Sequence, residues 1–177
     1  FFDGDGSVSL NNGNGVTQLQ INQNVDSARV LLRFRAALGG SICLSQRGTG
    51  RRKTVLKWHL SAAKASAAAN LLASVPSMKQ AQLEIAARGK ALLADVGTYV
   101  QALDALKRKD HRPAGLECSW AYFAGLFDAD GCIAISPASV TLILSVVQKN
   151  QFMLARVHDF LHQQGLVCRL YKNSSSY

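Results

Sequence analysis

Apolar and polar residues alternate with a period of two over 7–11, where Val8 and Leu10 share one face and Ser7, Ser9 and Asn11 the other. This is the pattern of a half-buried strand. After the turn Asn12-Gly13-Asn14-Gly15, a second alternating run over 16–23 places Thr17, Leu19 and Ile21 inward and Gln18, Gln20 and Asn22 outward. The pattern then becomes helical over 26–38 and stops at Gly39-Gly40. Residues 42–45 and 53–60 read as a second hairpin around the loop Arg47-Gly48-Thr49-Gly50-Arg51-Arg52. An alanine-rich helix is expected over 62–75. A further helical run leads from Ser77 toward Lys109, with a break near Gly97.

The same order then begins again. Residues 110–117, with Pro113 and Gly115, read as a connection. An apolar helix follows from Trp120 and delivers Asp128 and Asp130 into a turn at Gly131. Ala121 and Gly125, and likewise Ala124 and Asp128, are four residues apart, so small side chains line one stripe and admit a second helix at close range. Strands are expected over 132–136 and 140–148 around the turn Pro137-Ala138-Ser139. A helix over 151–164 carries Met153, Val157, Phe160 and Leu161 as its core stripe and is stopped by Gly165; a third strand is expected over 166–171. The outward positions of this second ribbon (Cys132, Ala134, Ser136, Thr141, Ile143, Ser145 and Val147) are poorer in hydrogen-bond donors than those of the first.

Sliding the chain by 125 residues pairs Phe2 with Phe127, Asp3 with Asp128, Asp5 with Asp130 and Gly6 with Gly131, then Leu19 with Leu144, Gln23 with Gln148, Gly40 with Gly165 and Cys43 with Cys168. These are eight identities over 52 positions, where composition alone gives roughly three. They fall on the acidic turn, on a glutamine eighteen residues later and on a helix-ending glycine, which marks an internal duplication of one α/β unit. Residues 1–110 then form the first repeat, 111–117 the linker and 118–177 the second repeat. The second ends before any fourth strand, last helices or counterpart of Lys79.

Charge adds a partner class. The 177-residue chain has 20 Lys and Arg against 11 Asp and Glu, a net charge of +9, and a pI near 9.7. From Arg29 to Lys64 there are nine basic and no acidic residues. Such a one-signed stretch suits phosphate contacts, although a solvated basic face has the same composition. Four cysteines without a C-x-x-C pair argue against a zinc knuckle or disulfide framework and for a reducing compartment. The longest uncharged run, 132–148, contains Pro137 and alternates like a hairpin, so no membrane span is expected; nor is a signal or transit segment. His158 and His162 are four apart on a helix, but no third metal ligand is evident in sequence.

The acidic turns carry the chemistry. A carboxylate buried beside another calls for a divalent cation, whereas a plain Asp-rich turn after an amphipathic helix is the simpler alternative. The segment Phe123-Ala124-Gly125-Leu126-Phe127-Asp128-Ala129-Asp130-Gly131 resembles the motif of the LAGLIDADG homing endonucleases, and residues 1–6 resemble the end of a first copy. The resemblance implies an α+β fold: two pseudo-symmetric αββαββα repeats whose antiparallel sheets form a DNA-binding saddle, the second repeat incomplete. It also implies a monomer with internal pseudo-dimer symmetry that cuts double-stranded DNA at a long site.

Asp5 and Asp130 are then the expected ligands of Mg²⁺, the natural ion for an oxygen-only site, with one carboxylate per repeat serving mainly one strand. Asp3 and Asp128 are expected to shape the helix ends. Gln23 and Gln148 share a spacing from their aspartates and are candidates to reach the water or phosphate. Lys79 resembles the family's active-site lysine. Its implied role is to polarise the water network and stabilise developing charge. Ser7, Ser9, Asn11, Gln18, Gln20 and Asn22 are candidate base-reading residues, and Arg47, Arg51, Arg52 and Lys53 candidate phosphate contacts. Family habit implies an intron-encoded protein of an organelle, chloroplast before mitochondrion. An RNA maturase that assists splicing of its host intron uses the same fold and is the alternative.

Overall fold

The computed structural model describes residues 1–10, 16–89, 96–108, 112–113 and 115–171. Both alternating runs of the first ribbon are strands: β1 (Gly6–Leu10) and β2 (Thr17–Asn24), which follow the short helix α1 (Phe2–Asp5). The ribbon turn and Asn11 lie outside the described residues. Helix α2 (Arg29–Leu38) is preceded by a single 3₁₀ turn, Val25–Ser27. The expected 26–38 helix is thus split, because the Asn24 side chain accepts the Ser27 N–H at 3.2 Å and caps the turn first. Next come β3 (Ser41–Gln46) and β4 (Val55–Ser61). The four strands make an antiparallel sheet in the order β1-β2-β4-β3.

Helix α3 (Ala62–Ala73) matches the alanine-rich run, and its small residues Ala65, Ala68 and Ala69 are buried. The long helical run after Ser77 divides into α4 (Gln80–Arg88) and α5 (Val96–Arg108). Its break is at Gly89, with φ +61°, and Gly97 lies inside α5. The helix therefore ends where glycine takes the left-handed conformation. One face of the sheet is sealed beneath these helices: Val8, Leu19, Ile21, Trp58 and Leu60 join Leu31, Leu83 and Leu103 in one core. Trp58 is fixed by its Nε1–H, which donates to Gly39 O at 2.8 Å.

The second repeat begins with α6 (Trp120–Asp130), capped by Ser119, whose Oγ accepts the Tyr122 N–H at 3.2 Å. Strands β5 (Gly131–Ser136) and β6 (Thr141–Val146) pair in register, and α7 (Gln151–Gln163) follows. Met153 and Val157 of the expected α7 stripe are buried, and Leu161 packs against the same cluster; Phe160 stacks edge-on against Trp120 at 5.2 Å. Val140 lies in the turn rather than in β6, with φ +50°. Residues 166–171 are not a strand. A short apolar run shows only that a segment could be buried. A strand also needs a ladder partner, and among the described residues β5 and β6 pair only with each other.

The two ribbons differ in cover. Val8 and Leu19 are 1% and 0% exposed, whereas their counterparts Ile133 and Leu144 are 62% and 61% exposed. Among the described residues, nothing in the second repeat occupies the place that α3, α4 and α5 hold over the first sheet. No helix of the described residues is long and apolar enough to cross a membrane.

Candidate active site and nucleic-acid face

The two acidic turns meet where α1 packs against α6. The approach is close: a methyl group added at Gly4 would stand 2.5 Å from Ala129 Cβ and 2.6 Å from Asp130 Oδ2. A side chain at Gly4 would push the helices apart. The seam thus brings Asp5, the last residue of α1, toward Asp130, the last residue of α6.

Each aspartate is held in the same way. Gln23 Nε2 donates to Asp5 Oδ2, and Gln148 Nε2 donates to Asp130 Oδ2, across an identical separation of 18 residues. Gln23 comes from β2, and Gln148 from just beyond the end of β6. The glutamines thus grip the carboxylates, leaving one oxygen of each free of this bond. Burial raises the Asp5 pKa above its ordinary value, and the negative charge of Asp130 raises it further; the Gln23 hydrogen bond and Lys79 act in the opposite direction. Two carboxylates brought together at one seam, each with an oxygen left free of its glutamine, fit a hard divalent cation.

Lys79 reaches the same place from the start of α4. Its Nζ donates to Phe2 O at 2.9 Å, to Gly4 O at 3.1 Å and to Gly6 O. The ammonium therefore caps the carbonyl end of α1, where the helix dipole favours positive charge. Burial lowers its pKa, opposed by Asp3, Asp5 and Asp130. All three N–H groups are engaged, so donation to a water or phosphate requires exchange of one carbonyl.

Asp3 has a structural post. Its carboxylate accepts the backbone N–H of Met78 at 2.9 Å and of Lys79 at 3.3 Å, and the Tyr122 hydroxyl at 2.9 Å. It joins the first turn, the start of α4 and the second repeat. Burial and then the Asp3 charge raise the Tyr122 pKa far above its ordinary value, so the phenol stays a donor. Tyr122 was not legible as a site residue, because nothing in the spacing announces a bond across 119 residues. Asp128, its repeat counterpart, is exposed.

The polar face of the four-stranded sheet gathers the expected reading residues. In β1 and β2, Ser7 faces Gln20 and Ser9 faces Gln18, and both glutamines alternate along β2 with the buried Thr17, Leu19 and Ile21. Directly opposed residues share a face. The register adds two residues that the sequence reading missed: His59 opposite Gln20, and Lys57 opposite Asn22. Their alternation with buried Trp58 and Leu60 was the available signal. Arg47, Arg51 and Arg52 are exposed at the β3–β4 loop. Two bonds order this loop: Arg52 N–H donates to Thr49 O at 3.1 Å, and Gly48 N–H to Thr54 Oγ1 at 3.1 Å. Lys53 pairs with Asp26 at 2.7 Å, both well exposed, so a phosphate can compete for it.

The arrangement thus combines a carboxylate pair, a half-buried lysine and a polar, basic sheet face. The sequence model of the LAGLIDADG-like domain matches residues 117–177. Among solved structures, the chain is similar to the LAGLIDADG meganuclease I-AabMI bound to uncleaved DNA, with a TM-score of 0.68 and 16% identity over 98% of this chain and 73% of that one. It is also similar to I-CpaMI bound to uncleaved DNA, with a TM-score of 0.59 and 11% identity over 98% of this chain and 74% of that one. A third similar structure is I-SmaMI bound to an uncleaved DNA target in the presence of calcium ions, with a TM-score of 0.54 and 13% identity over 98% and 73%. No curated protein matches the sequence. The whole chain has the α+β fold of the LAGLIDADG meganucleases.

Proposed function

We propose that this protein is a site-specific double-stranded DNA endonuclease of the homing type, acting by Mg²⁺-dependent phosphodiester hydrolysis. The observation that carries this reading is the Asp5–Gln23 and Asp130–Gln148 symmetry at the helix seam. Two like carboxylates, each oriented by its own glutamine, are a reason to bind a cation rather than to stabilise a turn. Asp5 and Asp130 are the residues that hold the metal. When bound, it supplies charge neutralisation on the phosphate and activation of a water.

The remaining work belongs to the chain. Gln23 and Gln148 fix carboxylate orientation, and Lys79 places a positive charge near developing negative charge. Ser7, Ser9, Gln18, Gln20 and Asn22, with Lys57 and His59, present the base-reading face, and the arginine loop grips phosphates. The protein acts as a monomer with internal pseudo-symmetry and is encoded in an organellar intron, chloroplast before mitochondrion. The DNA-bound state of the similar meganucleases supports the choice of duplex DNA.

The test is plasmid cleavage across a library of candidate insertion sites, with Mg²⁺ or with EDTA. Site-specific linearisation is expected only with Mg²⁺. In Asp130→Asn linear product is expected to vanish, with at most nicked circle remaining. Binding of intron RNA without DNA cleavage under any divalent metal would replace this reading with the maturase.

A further inference from the structure

We propose that His158, His162 and Cys168 form a second, zinc-binding site that pins residues 166–171 onto α7. In sequence the two histidines lacked a third ligand. The structure supplies one: the ligand atoms of His158, His162 and Cys168 all lie within 4.8 Å of one another. The histidines share one helix face, with ring centroids 4.4 Å apart.

The way Cys168 reaches them follows from the end of α7. Gly165 takes φ +79°. Its N–H donates to His162 O at 2.9 Å, and the Leu166 N–H donates to Leu161 O, also at 2.9 Å. This pair of bonds is a Schellman cap. It folds the chain back along the helix it has just left, which sets Cys168 beside the preceding turns. The cap therefore builds the ligand cluster from residues only ten apart in sequence, on a short stretch of backbone that the helix itself holds.

Two imidazoles and a thiolate are a borderline-soft donor set, suited to Zn²⁺ and unsuited to Mg²⁺. Tetrahedral zinc with bonds of about 2.1 Å to nitrogen and about 2.3 Å to sulfur sets its ligands about 3.5 Å apart. The donors need to close by about 1 Å from their present limit, within the reach of side-chain rotation at a partly exposed site. Asp159 Oδ1 stands 3.6 Å from His158 Nδ1, and a carboxylate beside a ligating imidazole holds the ring in orientation. Three protein ligands leave the fourth position to water. The sulfur binds as the thiolate, so one proton leaves as the metal enters. This site stands apart from the Asp5–Asp130 pair and does not depend on the nuclease reading.

The full chain is titrated with Co²⁺ alone, in the presence of excess Mg²⁺, followed by Zn²⁺ competition. Wild type is expected to show a thiolate-to-cobalt charge-transfer band with tetrahedral d–d absorption, abolished by Zn²⁺. Cys168→Ser should lose the charge-transfer band, and His162→Ala should weaken zinc binding by about 100-fold or more. Cys43→Ser, the control for the other cysteine near a histidine (Cys43 Sγ to His59 Nδ1, 3.9 Å), should retain the band, as should Asp130→Asn. Zinc should also slow tryptic cleavage after Arg169 in wild type but not in Cys168→Ser. No charge-transfer band in wild type, or a band that survives in Cys168→Ser, overturns the proposal.

Discussion

At the scale of single residues, Asp5 is held against its own stability. Its pKa is raised in the fold above the ordinary 3.8, first by burial and then by Asp130. A carboxyl with a raised folded pKa contributes stability below its unfolded value and loses it as pH rises through the folded value. At neutral pH without metal, Asp5 is therefore a destabilising residue. Asp5→Asn keeps an acceptor for Gln23 and removes the charge, so it should raise Tm at pH 7 in EDTA, and Mg²⁺ should raise the Tm of wild type but not of the variant. An Asp5→Asn protein that melts lower than wild type in EDTA would remove the like-charge argument. Asp3 works through hydrogen bonds. It accepts three hydrogen bonds that tie both repeats to α4. Asp3→Ala should cost about 2 kcal/mol, a fall of roughly 4–8 °C in Tm, read by thermal melting without DNA.

Single elements show where local sequence suffices and where it does not. The two ribbons were legible from alternation, and the spacing repeated in both halves marked the two glutamines, though not that each would bond its own aspartate. The break after α4 was not, because Gly89 and Gly97 are the same residue type and only the left-handed turn at Gly89 distinguishes them. The 166–171 strand failed for the opposite reason: an apolar run was present, but among the described residues no strand pairs with it. Val140 was read as a strand residue, yet it occupies φ +50° in the β5–β6 turn. A β-branched residue is strained there. Val140→Gly should therefore stabilise the protein by about 1 kcal/mol, measured by urea unfolding, because the side chain is 84% exposed and loses no packing. In the β3–β4 loop, Arg47, Arg51 and Arg52 are exposed, with the turn held by backbone and Thr54 bonds. Replacing one of them by Ala should reduce the slope of log affinity for DNA against log salt by about 0.9 if it contacts a phosphate. Fluorescence anisotropy across a salt series reads that slope without moving the fold.

The whole molecule is two copies of one pattern under unequal cover, and sequence identity between the copies hides this inequality. Leu19 and Leu144 are the same residue at the same repeat position, each on the inner face of its ribbon. Leu19 is wholly enclosed beneath the helices, and Leu144 is not. Truncation of an enclosed leucine forfeits its transfer energy and leaves a cavity, so Leu19→Ala should cost about 2–5 kcal/mol. Leu144→Ala has no cavity to leave and should fall within about 0.5 kcal/mol of wild type. The exposed sheet face, which includes Ile133, Ile135, Leu142 and Leu144, should bind a hydrophobic dye, and a double Ile133→Thr, Leu144→Thr variant should reduce that signal without lowering Tm. Paired urea unfolding of the two Leu→Ala variants, repeated over a tenfold range of protein concentration, decides the matter. Equal costs at high concentration that separate on dilution would mean that the bare ribbon is covered by self-association. Equal costs at every concentration would mean that the face is covered within the single chain, contrary to the structure.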